Sequence, residues 1–197
     1  MDKNTLKPTY WFADKKCASG HVIVLNGTSS SGKSSIASEL QKVLREPYLV
    51  FSIDNFLHTF PLADKRFNIA NTILPMLRGF YRSAMAYVSE GNNVIVDAVF
   101  QDGPHDFKYV QKIFDGAKAS FIGVRCNLDE LKKRENQRTD RNAGMAEFQF
   151  PRVHQGVEYD FEVDTTYTSP RNCADLIIRH LEETLLSGGH GSPLSRG

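Results

Sequence analysis

The sequence predicts a doubly wound α/β domain, a five-stranded parallel sheet flanked by helices on both faces. Three observations predict it. Five short runs rich in Val, Ile and Phe have strand length, the intervals between them carry helical periodicity, and a Gly/Ser-rich turn joins the first run to the first helical pattern.

The first run covers residues 22–26, and after the turn an amphipathic pattern over 33–45 reads as a helix. A second strand is expected at 48–53. A long helix over 71–90 follows, with Ile73, Leu77, Phe80, Ala84 and Val88 on one face; Pro75 marks either its first turn or a kink, and Gly91 suits its C-terminal end. Strands at 93–99, 119–125 and 161–164 alternate with helices at 106–114, 128–136 and 172–185. Strand and helix in strict alternation mean a parallel sheet covered on both sides.

The 197 residues are 41% hydrophobic, enough for one domain with a sizeable core. Residues 1–20 read as an N-terminal extension, 21–186 as the domain, and the Gly/Ser-rich 187–197 as a disordered tail. With 24 basic against 23 acidic residues the net charge is +1, which gives no field for a nucleic acid backbone or an anionic membrane. Neither partner is expected. Three widely spaced cysteines, Cys17, Cys126 and Cys173, form no C-x-x-C pair, so a disulfide framework or zinc site is not expected and a reducing cytoplasm is. No apolar run approaches the ~20 residues of a membrane span.

The turn "GTSSSGKS", Gly27 to Ser34, fits G-x-x-x-x-G-K-[ST], the phosphate-cradling P-loop. It follows a strand and opens a helix. Backbone N–H groups of Ser30, Ser31, Gly32, Lys33 and Ser34, with Ser35 beyond, can then converge on phosphate oxygens with the helix dipole behind them. Lys33 is expected at the β- and γ-phosphates of ATP and the Ser34 hydroxyl on Mg²⁺; Gly27 and Gly32 let the backbone curl. The bland alternative is a flexible Gly/Ser loop.

Two carboxylates fall at strand ends on the ligand side of such a sheet, Asp54 in "VFSIDNF" and Asp97 in "VIVDAVF". Asp54 is expected to accept a proton from an acceptor hydroxyl; its ordinary alternative is the N-cap of a short helix starting at Asn55. Asp97, after an apolar run, suits the Mg²⁺ water shell, against a plain turn residue. In "RENQRTDR", Arg134, Arg138 and Arg141 are spaced by four and three, which would stack them on one helical face. Ala143 and Gly144 beyond suit a hinge. The expectation is a lid around 131–147 whose arginines bind the nucleotide (Arg134) and neutralise the transferring phosphoryl group (Arg138, Arg141); the alternative is a solvated face.

Together "VLNGTSSSGKSS", "EPYLVFSIDNF", "VIVDAVF", "GVRCNLDELKKRENQRTDRNAGMA" and "VHQGVEYDFEVDTTYTSP" resemble, in that order, segments of the chloramphenicol phosphotransferase-like P-loop kinases, related in fold to shikimate, adenylate and gluconate kinases. The resemblance spans residue 22 to about 181. It implies ATP-dependent, Mg²⁺-assisted phosphorylation of a small-molecule hydroxyl, with chloramphenicol a candidate acceptor, Asp54 as base, and residues 165–170 near the adenine. Between residues 56 and 81 the chain is shorter than the antibiotic-modifying member, so the acceptor could equally be a nucleoside, a sugar acid or another metabolite. Phe56, Leu57, Phe60, Phe67, Met76, Phe80 and Tyr81 there form either an aromatic pocket or helix-packing core, and Arg66, Arg78 and Arg82 leave an anionic acceptor open. A nucleotide-binding switch or hydrolase is the rival of another class.

Overall fold

The computed structural model describes residues 19–59, 69–137 and 144–187. In chain order these form β1 (His21–Asn26), α1 (Lys33–Val43), β2 (Tyr48–Ser52), α2 (Ile53–His58), α3 (Ile69–Ser89) and β3 (Asn93–Ala98). Next come α4 (Gly103–Ile113), β4 (Lys118–Arg125), α5 (Leu128–Asn136), α6 (Met145–Gln149), β5 (Phe161–Asp164) and α7 (Pro170–Ser187). The sheet is parallel throughout, in the order β2-β3-β1-β4-β5. Because β1 lies between β3 and β4, the winding reverses at its carboxyl end. That reversal opens a crevice where the Gly/Ser turn sits.

Side chains along β1 alternate between two cores, as the period of two requires. Val22 and Val24 face Phe80, Ala84 and Val88 of α3, Phe107 and Val110 of α4 and its C-cap Phe114. Ile23 and Leu25 face Ile36, Ala37 and Leu40 of α1 and Cys173, Ala174 and Ile177 of α7. All six residues of β1 are buried, which explains why it reads as a continuous apolar run.

The expected elements are present, with shifted boundaries. The helix α3 starts by Ile69, so Pro75 lies inside it rather than in its first turn. At the other end Gly91, at φ 85°, donates to Val88 O at 2.9 Å while Asn92 N donates to Tyr87 O at 3.0 Å, a Schellman stop. The helix α4 begins three residues earlier than expected, with a proline in its first turn. A helix at the place of α2 entered only as the alternative reading of Asp54, starting at Asn55, and α6 was not expected; each is too short for periodicity to reveal. Cys126 and Cys173 are free and buried. Cys17, the extension before residue 19 and the tail after 187 lie outside the described residues. No helix among the described residues is long and apolar enough to cross a membrane.

Candidate active site

The phosphate loop folds as a buried, hydrogen-bonded turn. Residues 27–31 are buried, Ser30 takes a positive φ of 64° and Gly32 one of 92°. Ser31 N donates to Thr28 O at 3.1 Å, closing the turn on itself. The N-cap of α1 is Gly32, which offers no side-chain acceptor to the first-turn N–H groups of Lys33, Ser34 and Ser35. They and the helix dipole face the crevice, the arrangement that binds an anion. The hydroxyls of Ser30 and Ser31 are buried without a hydrogen-bond partner, and Ser30 lines the crevice. An unpaired buried hydroxyl there suits a phosphate ligand.

The crevice has a volume of about 580 Å³ and is lined by Ser30, Gly32, Lys33, Ser34, Ser35, Asp54, Asp97 and Arg134, all expected from the sequence. Ser52, Ile53, Val99, Gln137, Thr165, Thr168 and Pro170 complete it. Within it Ser34 Oγ donates to Asp97 Oδ2 at 2.6 Å, and Lys33 Nζ lies 3.9 Å from Asp97 Oδ1. Lys33 Nζ also donates to Gly27 O at 2.8 Å and Thr28 O at 3.1 Å, so its charge is stored inside the loop. A hydroxyl beside a carboxylate next to an anion cradle is a donor set that fits Mg²⁺ carried on phosphate, with most ligands coming from oxygen of ligand and water. Accordingly, no group of three acidic, His or Cys side chains gathers for a metal among the described residues.

Asp54 is not a cap. The helix α2 begins at Ile53 with Ser52 as N-cap, so Asp54 sits in its first turn, two residues beyond the end of β2 rather than closing the strand. The short helix starting at Asn55 is therefore corrected. The strand stops at Ser52 and the turn of α2 carries the Asp54 carboxylate over the carboxyl end of the sheet, into the crevice with Lys33, Ser34 and Asp97.

Two of the expected nucleotide residues work differently. Gly27 and Ser31 do not line the crevice; Gly27 seats the loop against β4, where an added Cβ would lie 2.3 Å from Val124 O. The helix α5 ends at Asn136 with Gln137 as C-cap, and Arg134 lies in its last turn. Arg138 and Arg141 lie outside the described residues. Arg134 is held firmly: Nη2 donates to Thr165 O at 2.6 Å, Nη1 to Thr165 Oγ1 at 3.2 Å and Nε to Glu130 Oε1 at 3.0 Å. That hydrogen bond to Arg134, ahead of one to Lys133, holds the half-buried Glu130 carboxyl below the usual range.

Of the two readings of the aromatic side chains, helix-packing core holds for Phe80 and Tyr81. Phe80 and Tyr81 are 0% and 5% exposed and pack with Phe51 and Phe56 in the core between α2, α3 and the sheet. Phe56, Leu57, Met76, Phe80 and Tyr81 do not line the crevice. Arg78 lies 6.0 Å from the Tyr109 ring and, like Arg82, is exposed. Arg66, Phe60 and Phe67 lie outside the described residues.

Sequence reasoning missed the polar residues that hold the loop from behind. Asn26 Nδ2 donates to Val153 O at 2.9 Å and to Tyr159 Oη at 2.6 Å, while its Oδ1 accepts from Phe100 N at 2.8 Å. Thr165 Oγ1 donates to Ser31 O at 2.7 Å, and Gln149 Oε1 accepts from Ser29 N at 2.7 Å. These partners stand far from the motif in the chain, and no local pattern announces them.

A phosphate loop after the central strand, two carboxylates at neighbouring strand ends and the β2-β3-β1-β4-β5 order define a P-loop phosphotransferase of the small-molecule kinase type. A profile of the chloramphenicol phosphotransferase-like proteins matches residues 20–182, and the chain belongs to that family. Two Mycobacterium tuberculosis proteins, provisionally named O-phosphotransferases, are 30% identical to it over 175 residues, covering 76% of this chain and 76% of each relative. Among solved structures, the Mycobacterium tuberculosis APS kinase in complex with AMPPNP and APS superposes with a TM-score of 0.64 at 21% identity, over 83% of this chain and 98% of the other. A gluconokinase from Sinorhizobium meliloti gives 0.60 at 16%, over 88% and 99%. A tunicamycin resistance protein from Deinococcus radiodurans gives 0.61 at 15%, over 82% and 95%. At these identities the structures establish the fold alone.

Proposed function

We propose that the protein transfers the γ-phosphoryl group of ATP, as its Mg²⁺ complex, to a hydroxyl of a small molecule in the cytoplasm, with chloramphenicol one candidate acceptor. The observation that carries this reading is the meeting of Asp54 with Lys33, Ser34 and Asp97 in the crevice of the phosphate loop. A switch that only binds nucleotide has no use for a second carboxylate on that side.

The backbone of residues 30 and 32–35 holds the phosphates, and Lys33 leaves its two carbonyl partners to meet the β- and γ-oxygens. Ser34 and Asp97 hold Mg²⁺ or its water shell, which when bound neutralises charge shared between those phosphates. Asp54 orients the acceptor hydroxyl and takes its proton late, as a loose transition state allows. Arg134, anchored on residue 165, lies along the nucleotide, and Arg138 and Arg141 supply further positive charge from the segment read as a lid. Residues 165–170, three of which line the crevice, flank the base.

Incubation with Mg·ATP and a panel of antibiotics, nucleosides, sugar acids and other alcohols, read by mass spectrometry, tests this. One compound gaining one phosphoryl group is expected. ATP hydrolysis that no compound accelerates would move the protein to the switch or hydrolase class.

A further inference from the structure

The acceptor of the Ser29 N–H is a neutral one, and its chemistry matters to a loop that receives a polyanion. Gln149 is 4% exposed, Ser29 is 1% exposed, and the carboxamide oxygen lies 2.7 Å from the Ser29 nitrogen across 120 positions of sequence. The helix that carries Gln149, α6, is itself tied down. Its first N–H groups, from Gly144 and Ala146, both donate to the carboxylate of Glu135 at 2.9 Å, and Glu135 is 5% exposed. The acid on α6, Glu147, points away to Lys132 at 2.9 Å. Each carboxylate of this corner is therefore committed elsewhere, and an uncharged amide faces the phosphate loop.

On the opposite side of the same turn Thr165 Oγ1 donates to Ser31 O, and Thr165 is gripped by Arg134, the neighbour of Glu135 in α5. Two consecutive residues of α5 thus anchor the two groups that hold the turn, one at Ser29 and one at Ser31. Between them Ser30 is kept at its positive φ, the conformation that aims the loop at the crevice.

We infer that Gln149 is a positioning residue of the phosphotransfer site: it fixes the crown of the phosphate loop through Ser29 while adding no negative charge beside the phosphates. The inference rests on the nucleotide-binding reading of the loop. Gln149→Glu keeps size and acceptor but places a carboxylate there. Binding of Mg·AMPPNP should weaken by about tenfold or more, and Mg·ADP, with less negative charge, by less. Gln149→Leu removes the acceptor without adding charge, and should weaken both nucleotides alike.

The test is calorimetric binding of Mg·AMPPNP and Mg·ADP to the full chain and both variants beside their thermal midpoints, with amide exchange at Ser29 in the unaltered protein without nucleotide. Slow exchange at Ser29 and a triphosphate-selective loss in Gln149→Glu are expected. Wild-type-like binding by either folded variant, or equal loss of both nucleotides in Gln149→Glu, overturns the inference. Should neither variant fold, fast exchange at Ser29 in the unaltered protein overturns it and slow exchange supports it. Failure of the unaltered protein to bind either nucleotide refutes the nucleotide reading instead, and the exchange measurement still judges the hold on Ser29.

Discussion

Two glycine-to-alanine substitutions should move this protein in opposite directions. At Gly27 an added Cβ would lie 2.3 Å from Val124 O and 2.8 Å from Ser31 Oγ. The first obstacle is backbone in the middle of the sheet, paired on both sides through β4, and it cannot swing aside as a side chain would. The contact must open by about 1.1 Å to reach ordinary distance, an overpacking that costs about 1–3 kcal/mol, and an immovable neighbour argues for the upper end. For a chain of this size that is a midpoint lower by roughly 6–12 °C. The loop rather than the strand must yield, and a displacement near 1 Å at a reacting centre costs on the order of 10² in rate. At Gly79, inside α3 and exposed, nothing lies within 4 Å of the added carbon. There alanine should stabilise by about 0.5–1 kcal/mol, because glycine loses more backbone freedom in a helix. Differential scanning calorimetry of both variants, beside Mg·AMPPNP binding, measures the contrast. A Gly27→Ala protein that melts and binds like the unaltered one would refute the claim that this loop is seated against β4.

Replacing Ser34 with Ala removes the hydroxyl bonded to Asp97 and should weaken nucleotide binding on the order of tenfold in Mg²⁺ while changing it little in EDTA, measured by calorimetry in each. Arg134→Lys keeps charge but loses the fork on Thr165 and Glu130, so kcat should fall more than nucleotide affinity; steady-state kinetics that show neither change would reduce Arg134 to a surface residue. His21 and His154 are both pushed down from 6.5 to about 4, each chiefly by burial, with Lys118 adding to the first and Arg125 to the second. Their folded values lie below the unfolded one, so the stability they contribute is complete above about pH 6.5 and is lost as pH falls toward 4. NMR titration of the two imidazoles should show midpoints far below 6.5, and a normal midpoint at either would contradict its burial.

The sheet was legible because strands buried on both faces must be apolar throughout, and the loop because a phosphate cradle needs its glycines and lysine at fixed spacing. Lys33, Ser34, Asp54 and Asp97 could each be placed from local context. What escaped were contacts whose partners are distant in the chain: Gln149 on Ser29, Thr165 on Ser31, Glu135 on α6. A five-residue helix such as α6 leaves no periodic trace, and a buried glutamine looks like a surface one until its partner is seen. The aromatic run from Phe56 to Tyr81 stayed open between pocket and core for a related reason. Helical spacing shows that Phe80 and Tyr81 share a neighbourhood, but not whether it is a pocket or, as found, the core beneath α2 and α3.

The central claim is that Asp54 serves an acceptor alcohol at a bound triphosphate. Single-turnover transfer from Mg·ATP to the alcohol found in the panel, by the unaltered protein and by Asp54→Asn, tests it most directly. General-base effects are worth about 10²–10⁴ in rate, so transfer by Asp54→Asn should fall by that factor while Mg·ATP affinity and the thermal midpoint hardly change. Transfer by Asp54→Asn at the unaltered rate, from a protein of normal affinity and midpoint, would contradict the account.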